Sequence, residues 1–404
     1  MHGFTQGIAR LYTKSHMDST FFAGNRQALL DQLKKGALVV MTGYGEVQRS
    51  HDSAHRFDQE ANFWYLTGVE QADWWIVIDG AHGTEWLVAP DRDEIQQVFD
   101  GAADTDRAMA TSGIRTILTR DDAMRRLREL AKHHSIVYTT EQPAYLREQA
   151  HFQLNNAQAE LKKMLERTFL NVQTCNRELA TLRTVKQPVE IAAIEKAIKV
   201  TVTAFEYMKK ALPVAKHEYE LQAVLDYEIR RQGAKGHAYD PIIAGGLNAC
   251  TLHYVHNDDP LNKKGLVLFD IGARINGYAA DISRTYALSS PTKRQQAVHD
   301  AVREAQEACI ALLRPGLAFS EYHERCEQIM KAALERLGLA PERYREYFPH
   351  AMGHGLGVDV HDPLTGHDSL QPGMVLTVEP GLYIRDEAIG VRIEDDILIT
   401  ENGH

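Results

Sequence analysis

Two aspartates within one apolar β-hairpin constrain this chain more than any other feature of its sequence. The segment 266–286 reads LVLFDIGARINGYAADISRTY and contains Asn276-Gly277, a dipeptide typical of two-residue hairpin turns. The flanking residues are apolar enough for two buried strands, and each strand carries one aspartate, Asp270 or Asp281. A carboxylate is costly to bury, so its presence at both positions requires a physical reason.

The turn fixes which residues face each other across the hairpin. With Asn-Gly as the loop, Ile275 pairs with Tyr278, and counting outward places Gly272 opposite Asp281. Asp270 lies two residues from Gly272, so both aspartates project from one face as diagonal neighbours, about 7–8 Å apart at Cα. Two carboxylates on a covered face repel each other, which favours a divalent metal ion between them. The alternative is a pair of solvated aspartates on an exposed strand.

The C-terminal part of the chain repeats this anomaly. Glu379 ends an apolar run in MVLTVEPG, and Glu394 lies in VRIEDDILIT with Arg392 two residues before it on the same strand face. Between the two carboxylate pairs, His354 lies in the glycine-rich segment HAMGHGLGVDVHD. Two aspartates, two glutamates and one histidine suit a pair of Mn²⁺, Co²⁺, Zn²⁺ or Fe²⁺ ions. Such a pair can activate a bridging water for attack on a carbonyl.

Length and charge limit the other possibilities. A chain of 404 residues is long for one domain and predicts two. No apolar run approaches the roughly 18 residues of a membrane span. The net charge of −10 argues against nucleic acid and anionic membranes as main partners.

The N terminus and the cysteines point to the cytoplasm. Residues 1–16 lack the apolar core of a secretory signal, and two alternatives stay open for them: a native N terminus, or an added leader before a natural start at Met17. The cysteine spacings match neither a metal site nor a disulfide framework, which predicts reduced thiols. The cysteines are Cys175, Cys250, Cys309 and Cys326.

The pattern of strands and helices changes once along the chain. We predict an α/β domain with a mostly parallel sheet over residues 18–174 and an α+β domain over 175–404, with an uncertainty of about fifteen residues in the boundary. The tract 157–185 has few breakers and predicts one long helix. The second domain shows four further helices and hairpin-like strands, one of them at 252–256, which predict a curved sheet covered by helices on one face.

At the five candidate ligands, the chain resembles a known family. Their order and setting are similar to those of the dinuclear metallopeptidases of the creatinase/methionine aminopeptidase, or pita-bread, fold, and specifically to Xaa-Pro aminopeptidases and prolidases. The N-terminal segment HRFDQEANFWYLTGVEQADWWIVID resembles the N-terminal domain of these enzymes, which methionine aminopeptidase lacks. The fold class implied is therefore an α/β N-terminal domain followed by an α+β pita-bread catalytic domain.

The resemblance implies a role for each candidate ligand. Asp281 and Glu394 would bridge both metals, Asp270 would complete one metal site, and His354 with Glu379 would complete the other. Glu379 would also act as general base on the bridging water. The implied cofactor is a pair of divalent ions, Mn²⁺ first, with Co²⁺, Zn²⁺ and Fe²⁺ as alternatives.

Three further residues match catalytic positions of the family. His253, in a segment 238–258 similar to the one that supplies the first substrate-side histidine, and His361 would contact the substrate, stabilise the tetrahedral intermediate and move protons. Arg392 would orient the carboxylates. The implied substrate is a peptide with proline at its second position, and the implied assembly is a homodimer or homotetramer.

Other functions on this fold stay open at this point. Residues 352–355, MGHG, are closer to the prolidase pattern, so a preference for dipeptides is one alternative. A creatinase-type amidinohydrolase would need no metal, and a catalytically inactive relative would serve as a peptide- or protein-binding module. The complete set of ligands and histidines argues against both.

Several neighbouring residues are expected to take no direct part. The loop histidines predicted to be merely polar are His256, His350 and His367. The acidic residues predicted to lie behind the ligands or in solvent are Asp395 and Asp396. The aromatic residues predicted to lie in the core or at an interface are Trp64, Tyr65, Trp74 and Trp75.

Overall fold

The structure, a computed structural model, describes residues 17–404, so the segment 1–16, whose two alternatives are given above, lies outside the described residues. These residues form two compact units, 17–182 and Arg183–His404. The boundary predicted between residues 174 and 175 stays a prediction. Within the described part of the chain, no helix is long and apolar enough to cross a membrane.

Helices and short strands are interspersed along residues 17–404. The α-helices are α1 Ser19–Gln32, α2 Ala61–Thr67, α3 Glu94–Asp100, α4 Thr105–Ser112, α5 Arg120–Leu130, α6 Ala144–Glu148, α7 Ala157–Thr168, α8 Asn176–Thr184, α9 Pro188–Ala211, α10 Glu218–Arg231, α11 Lys293–Ile310, α12 Phe319–Arg336 and α13 Tyr344–Tyr347. The strands are β1 Leu38–Thr42, β2 Gln48–Ser50, β3 Ser53–Ala54, β4 Trp75–Asp79, β5 Thr84–Val88, β6 Ile117–Leu118, β7 Val137–Thr139, β8 Val172–Thr174, β9 Gly236–His237, β10 Ile242–Gly245, β11 Leu266–Ile271, β12 Ala273–Ile275, β13 Tyr278–Ala279, β14 Ile282–Ala287, β15 Val375–Val378, β16 Gly381–Ile384, β17 Ile389–Arg392 and β18 Asp395–Leu398.

The N-terminal unit contains the predicted α/β sheet. Its six strands run in the order β6-β5-β4-β1-β7-β8. Three pairings are parallel and two, β1 with β4 and β4 with β5, are antiparallel, so the sheet is mixed with a parallel majority. The predicted core aromatics Trp64, Tyr65 and Trp74 are buried, and Trp75 is half-buried beneath the guanidinium of Arg120.

The single long helix predicted over 157–185 is wrong. The tract divides into α7 and α8, and β8 lies between them as the edge strand of the N-terminal sheet. Phe169 ends α7 by packing into the core, and β8 pairs in parallel with β7 over all three of its residues. Pairing with a sheet edge outweighs a local helical preference, because it satisfies backbone groups and buries the flanking residues together.

The C-terminal unit contains two large cores, each built from two helices and neighbouring strands, and a smaller apolar cluster around β10. One core places α9 and α10 against β11, β12 and β14. The other places α11 and α12 against the strands between Val375 and Val391. The α+β class is confirmed, and the strands divide among four small sheets: β10-β11-β14, β13-β12-β9, β15-β18 and β16-β17.

The strand predicted at 252–256 is wrong, because a buried carboxylate organises this segment as a loop. Glu218, at the start of α10, is fully buried. Its side chain accepts hydrogen bonds from the Gly245 amide at 2.7 Å, the Tyr254 hydroxyl at 2.8 Å and the Asp259 amide at 3.0 Å. These bonds satisfy the loop, and His253 lies between the bonded positions.

The predicted hairpin register is confirmed. Ile275 pairs with Tyr278 and Ile271 pairs with Ile282, so Gly272 comes opposite Asp281. Asn276 and Gly277 both have positive φ angles, 50° and 82°. Two residues of positive φ form the type I′ turn, whose twist matches that of the flanking strands.

Gly272 is required by a close approach between the two strands of the hairpin. A Cβ atom at this position would lie 1.6 Å from the carbonyl oxygen of Ala280. Such a contact is impossible without movement of the backbone, and it falls between Asp270 and the turn. The strand is interrupted at this glycine, which divides it into β11 and β12.

We predict that Gly272→Ala destabilises the C-terminal unit by about 3 kcal/mol or more, because an overpacked site must shift its backbone. Urea unfolding followed by circular dichroism measures the change. The matched control is Gly24→Ala in α1, where a Cβ atom would have no neighbour within 4 Å; alanine there favours the helix by about 1 kcal/mol. Equal stability of the Gly272 variant and the parent would contradict this explanation of the interrupted strand.

Candidate active site

The two hairpin aspartates converge on one hydroxyl group. The Tyr239 Oη atom lies 2.6 Å from Asp270 Oδ1 and 2.5 Å from Asp281 Oδ1. Asp281 is 5% exposed. A tyrosine hydroxyl has one hydrogen to donate, so it satisfies only one carboxylate at a time. The pair therefore requires a further positive charge.

A single guanidinium, that of Arg392, connects Asp270 with Glu394. Arg392 Nη2 donates to Asp270 Oδ2 at 2.5 Å, and Arg392 Nε donates to Ser283 Oγ at 2.9 Å. The Ser283 hydroxyl in turn donates to Glu394 Oε2 at 2.7 Å. Arg392, Ser283 and Glu394 are all buried. Arg392 therefore contacts one aspartate directly and one glutamate through the serine.

His354 presents one ring nitrogen to the carboxylates. Its Nδ1 atom lies 2.9 Å from the Gly355 carbonyl, which accepts the Nδ1 hydrogen. The other nitrogen, Nε2, then carries a lone pair and lies 3.5 Å from both Asp281 Oδ2 and Glu379 Oε1. A hydrogen bond to a backbone carbonyl is a common way to fix the tautomer of a metal-binding histidine.

The segment that carries His354 approaches β15 too closely for any residue but glycine. A Cβ atom at Gly353 would lie 1.9 Å from the carbonyl oxygen of Thr377. The Thr377 hydroxyl accepts the His354 amide hydrogen at 3.1 Å and donates to Glu379 Oε1 at 3.3 Å. The glycine and the threonine together place His354 beside Glu379.

The residues present fit a bound divalent cation. Ligand atoms of Asp281, His354 and Glu394 all lie within 4.8 Å of one another. Glu394 Oε1 is buried and has no hydrogen-bond partner among residues 17–404. An unpartnered buried carboxylate oxygen is costly unless a cation binds it.

The raised pKa values of the buried acids agree with an excess of negative charge in the site. Burial, followed by repulsion from Asp270, raises the pKa of Asp281 well above its usual range. Burial and the charge of Asp281 do the same to the pKa of Glu394. Burial raises the pKa of Glu379 to about 7, despite the neighbouring His354. The buried acids of the site thus carry more negative charge than the guanidinium of Arg392 balances.

The two predicted substrate-side histidines lie around this cluster. The ring of His361 packs edge-to-face on that of His354, with a centroid distance of 4.2 Å. Desolvation lowers the pKa of His361 to about 4, and the charges of His354 and His253 add to this effect. His253 is exposed in the loop that Glu218 holds. Neutral imidazoles can donate or accept a hydrogen bond without first losing a proton.

His350 makes specific contacts within the site, whereas the prediction that it does not touch substrate stays a prediction. Its Nε2 atom lies 2.8 Å from the hydroxyl of Tyr383, and that hydroxyl accepts a hydrogen bond from Arg392 Nη1, also at 2.8 Å. Its Nδ1 atom lies 2.8 Å from the Ala351 carbonyl and 3.5 Å from Glu379 Oε2. His350 therefore joins the arginine network to the predicted general base.

The other neighbours take the places expected of them. His256 and His367 are exposed. Asp396 is largely buried behind the ligands, where Oδ2 accepts the Asp281 amide hydrogen at 3.1 Å. Asp395 pairs with Arg284 at 2.6 Å, so it also lies outside the ligand set.

Sequence reasoning missed Tyr239, Ser283 and Tyr383. Ser283 was accessible in principle, because the hairpin register places it directly opposite Asp270. Tyr239 precedes β10, which pairs with the strand of Asp270, but its distance from that strand in the sequence hides the contact. Tyr383 lies on β16, which pairs with the strand of Arg392. The residues next to it in the sequence give no sign that its hydroxyl takes part in the site.

Two family models match the chain. Residues 192–401 match the model described as metallopeptidase family M24, and residues 22–138 match the model described as aminopeptidase P, N-terminal domain. The five candidate ligands all fall within the first match. The resemblance to this family inferred from the sequence is confirmed.

Individual proteins resemble the chain over nearly its whole length. Xaa-Pro aminopeptidase of Escherichia coli is 33% identical, over 95% of this chain and 93% of that protein. The structure of aminopeptidase P from E. coli with the inhibitor Pro-Leu superposes with a TM-score of 0.82 and 30% identity, covering 96% of this chain and 94% of that one. A glutamate-to-alanine variant of that enzyme in complex with substrate gives the same values.

We predict that the stability of the metal-free protein falls as pH rises from about 4.5 to 7. In this range Glu379 is protonated in the folded chain, where its pKa is about 7, and ionised in the unfolded chain. The folded state then binds more protons, so the free energy of unfolding decreases with pH. Urea unfolding of chelator-treated protein between pH 5 and pH 8 measures the slope, with and without Mn²⁺.

Bound metal replaces the proton and removes this slope. Replacing the acid by its neutral isostere, Glu379→Gln, gives the matched control, because the variant has no proton to lose at this position. If the free energy of unfolding of the metal-free protein did not fall between pH 5 and pH 8, the inferred excess of negative charge would be wrong.

We predict that Tyr239→Phe weakens metal binding about 10- to 100-fold, because removal of a group that orients ligands usually has this effect. Competition with a chromophoric chelator measures the dissociation constant. Tyr207→Phe, on the exposed face of α9, is the matched control. Unchanged affinity in the Tyr239 variant would show that the hydroxyl only fills space between the aspartates.

Proposed function

Because the chain belongs to metallopeptidase family M24 and carries an aminopeptidase P N-terminal domain, we propose that it is an Xaa-Pro aminopeptidase. It hydrolyses the bond between the N-terminal residue of a peptide and a proline at the second position. The observation that carries this proposal is the cluster of carboxylates and His354 around Arg392, inside the span that matches the peptidase family. Peptidases of this kind need a polarised water and a base beside it.

The ligands proposed for two divalent ions are the five residues named from the sequence. Asp281 and Glu394 would bridge the ions, Asp270 would complete one ligand set, and His354 with Glu379 the other. Mn²⁺ is our first choice, since an oxygen-rich set with one nitrogen suits it, and Co²⁺, Zn²⁺ and Fe²⁺ are alternatives. When bound, the ions supply a water of lowered pKa and positive charge for the reacting carbonyl.

Glu379 is the proposed proton acceptor. It is the acid that contacts both His354 and His350, at 3.5 Å in each case. An acid with a pKa of about 7 in the free site is poised to gain and lose a proton near neutrality. His350 lies beside it with its Nδ1 hydrogen directed at the Ala351 carbonyl, so it would position Glu379 and not accept its proton.

Arg392 keeps the carboxylates in one geometry throughout the reaction. It is held by Asp270, Ser283 and Tyr383 together, which leaves its guanidinium no alternative direction. Fixed side chains avoid reorganisation when charge changes during catalysis. This is a positioning role.

His253 and His361 are the proposed contacts to the substrate. His361 packs on His354 and therefore borders the ligands, while the loop held by Glu218 presents His253 to solvent. Two imidazole donors would stabilise the charge that develops on the scissile carbonyl oxygen. Proline at the second position has no amide hydrogen, so the site must hold the peptide through other groups.

We also propose the cytoplasm as the compartment and a homodimer or homotetramer as the assembly. The four cysteines are free and buried, which suits a reducing compartment. The negative net charge disfavours nucleic acid and anionic membranes as partners. We further propose residues 18–174 and 175–404 as the two domains.

We predict that Asp281→Asn lowers the turnover of Xaa-Pro substrates by at least about 10³-fold, because it removes charge from a bridging ligand. Mn²⁺-loaded protein is assayed with an Xaa-Pro dipeptide, an Xaa-Pro tripeptide and a tripeptide without proline. The expected result is cleavage of the proline tripeptide alone or in preference. Asp386→Asn, an exposed aspartate in the same unit, is the matched control.

The substrate panel separates the remaining functions. Cleavage of the dipeptide alone would identify a prolidase. Full activity of the Asp281 variant would refute the assignment of this residue. No bound metal and no turnover by the parent after loading with Mn²⁺, Co²⁺ or Zn²⁺ would refute the proposed function.

A further inference from the structure

A second cluster of potential ligands lies in the N-terminal unit. Ligand atoms of Asp79, His82 and His134 all lie within 4.8 Å of one another. His82 Nδ1 is 2.7 Å from Asp79 Oδ2, and His134 Nε2 is 3.3 Å from Asp79 Oδ1. None of these residues belongs to the candidate active site, and the proposed peptidase reaction uses none of them.

The sheet brings the three residues together although they are far apart in the sequence. Leu38, the first residue of β1, pairs with Asp79 at the end of β4 and with Val137 at the beginning of β7. Asp79 and Val137 therefore lie on either side of Leu38, at the same end of the sheet. His134 lies just before β7, and His82 lies in the turn that follows β4.

Asp79 is fixed in a direction that suits a metal ligand. Its side chain is 2% exposed. Oδ1 accepts the backbone hydrogens of Ala81 at 3.1 Å and His82 at 3.3 Å, and this holds the turn against the carboxylate. The same turn directs the His82 ring toward Oδ2. Two ligands are thus oriented before any ion binds, which lowers the cost of binding.

His134 supplies the observation that points to a ligand. The residue is 9% exposed, and its Nε2 atom is buried without a hydrogen-bond partner in the part of the chain that the structure describes. The 3.3 Å approach to Asp79 Oδ1 does not form a hydrogen bond. A buried ring nitrogen without a partner is costly, whereas coordination of a cation would satisfy it.

The open side of the cluster faces a cavity of about 720 Å³, lined by His82, Asp79 and several arginines. One of them, Arg125, is already paired with Asp122. Another, Arg126, lies over the ring of Trp86 at 5.5 Å. These cations oppose a bare metal ion, but they favour an ion whose fourth ligand is an anion from solvent.

We propose that Asp79, His82 and His134 bind one divalent transition-metal ion, with Zn²⁺ as the best match. Two imidazoles and one carboxylate form a common three-residue zinc site, whose fourth position is open to water or an anion. In this cluster that position faces the arginine-lined cavity. Binding displaces the proton shared by His82 and Asp79, so the affinity falls at acidic pH.

The test uses full-length protein stripped of metal and dialysed at a buffered free concentration of ZnCl₂. Zinc per chain is measured by plasma mass spectrometry for the parent, His134→Gln and His82→Gln. The expected result is one zinc ion fewer per chain in each variant, with unchanged turnover after loading with Mn²⁺. His133→Gln, at the neighbouring exposed histidine, should match the parent.

Two further measurements keep the test decisive. His82 is 60% exposed, so its variant folds even if the buried His134 variant does not. Adding Asp281→Asn to His82→Gln should lower the zinc content beyond either single change, which separates the two sites. Equal zinc content in the parent and the folded His82 variant would overturn the proposal and leave Asp79 as a cap of the turn after β4.

Discussion

The structure of the catalytic unit depends on one imbalance of charge. The buried guanidinium of Arg392 contacts Asp270 and, through Ser283, holds Glu394, but it cannot neutralise these acids together with Asp281 and Glu379. Burial, with repulsion between the acids added to it, raises the pKa values of Asp281, Glu379 and Glu394. A fold retains such a cluster only when a cation offsets the repulsion in its working state. The Tyr239 hydroxyl, which lies between Asp270 and Asp281, would keep these acids directed at the proposed ions.

The parts of this site that the sequence reveals are those set by local rules. The Asn276-Gly277 turn and the two-residue period of a strand placed Asp270 and Asp281 on one face, and the observed register agrees. The features of the site that the sequence does not predict depend on contacts between distant segments. His350 resembles any loop histidine until Tyr383 and Glu379 are placed beside it. The same limit explains β8, because its three residues become a strand only through pairing with β7.

The five proposed ligands are drawn from both halves of the catalytic unit. Asp270 and Asp281 belong to the hairpin that packs on α9 and α10, whereas Glu379 and Glu394 follow strands of the core built on α11 and α12. Each half is stabilised by its own apolar side chains. Hydrogen bonds join the halves, from the Ser283 hydroxyl to Glu394 and from the Thr285 hydroxyl to the Arg392 carbonyl, beside a small apolar cluster that includes Leu268 and Tyr383. The proposed ligands therefore lie where the two large cores meet, and a shift of either core would alter the spacing of the acids.

The type I′ turn also restricts how this protein can change in length over evolution. Side chains alternate between the two faces of a strand, so one residue added to or lost from the turn would send Asp281 to the opposite face from Asp270. Surface loops usually tolerate such changes, because they cost little entropy. At Asn276 and Gly277, a shift of the strand register by one residue would turn Asp281 away from the other proposed ligands without substituting any of them. Lineages that conserve the chemistry should therefore vary this turn by even numbers of residues, or keep its length fixed.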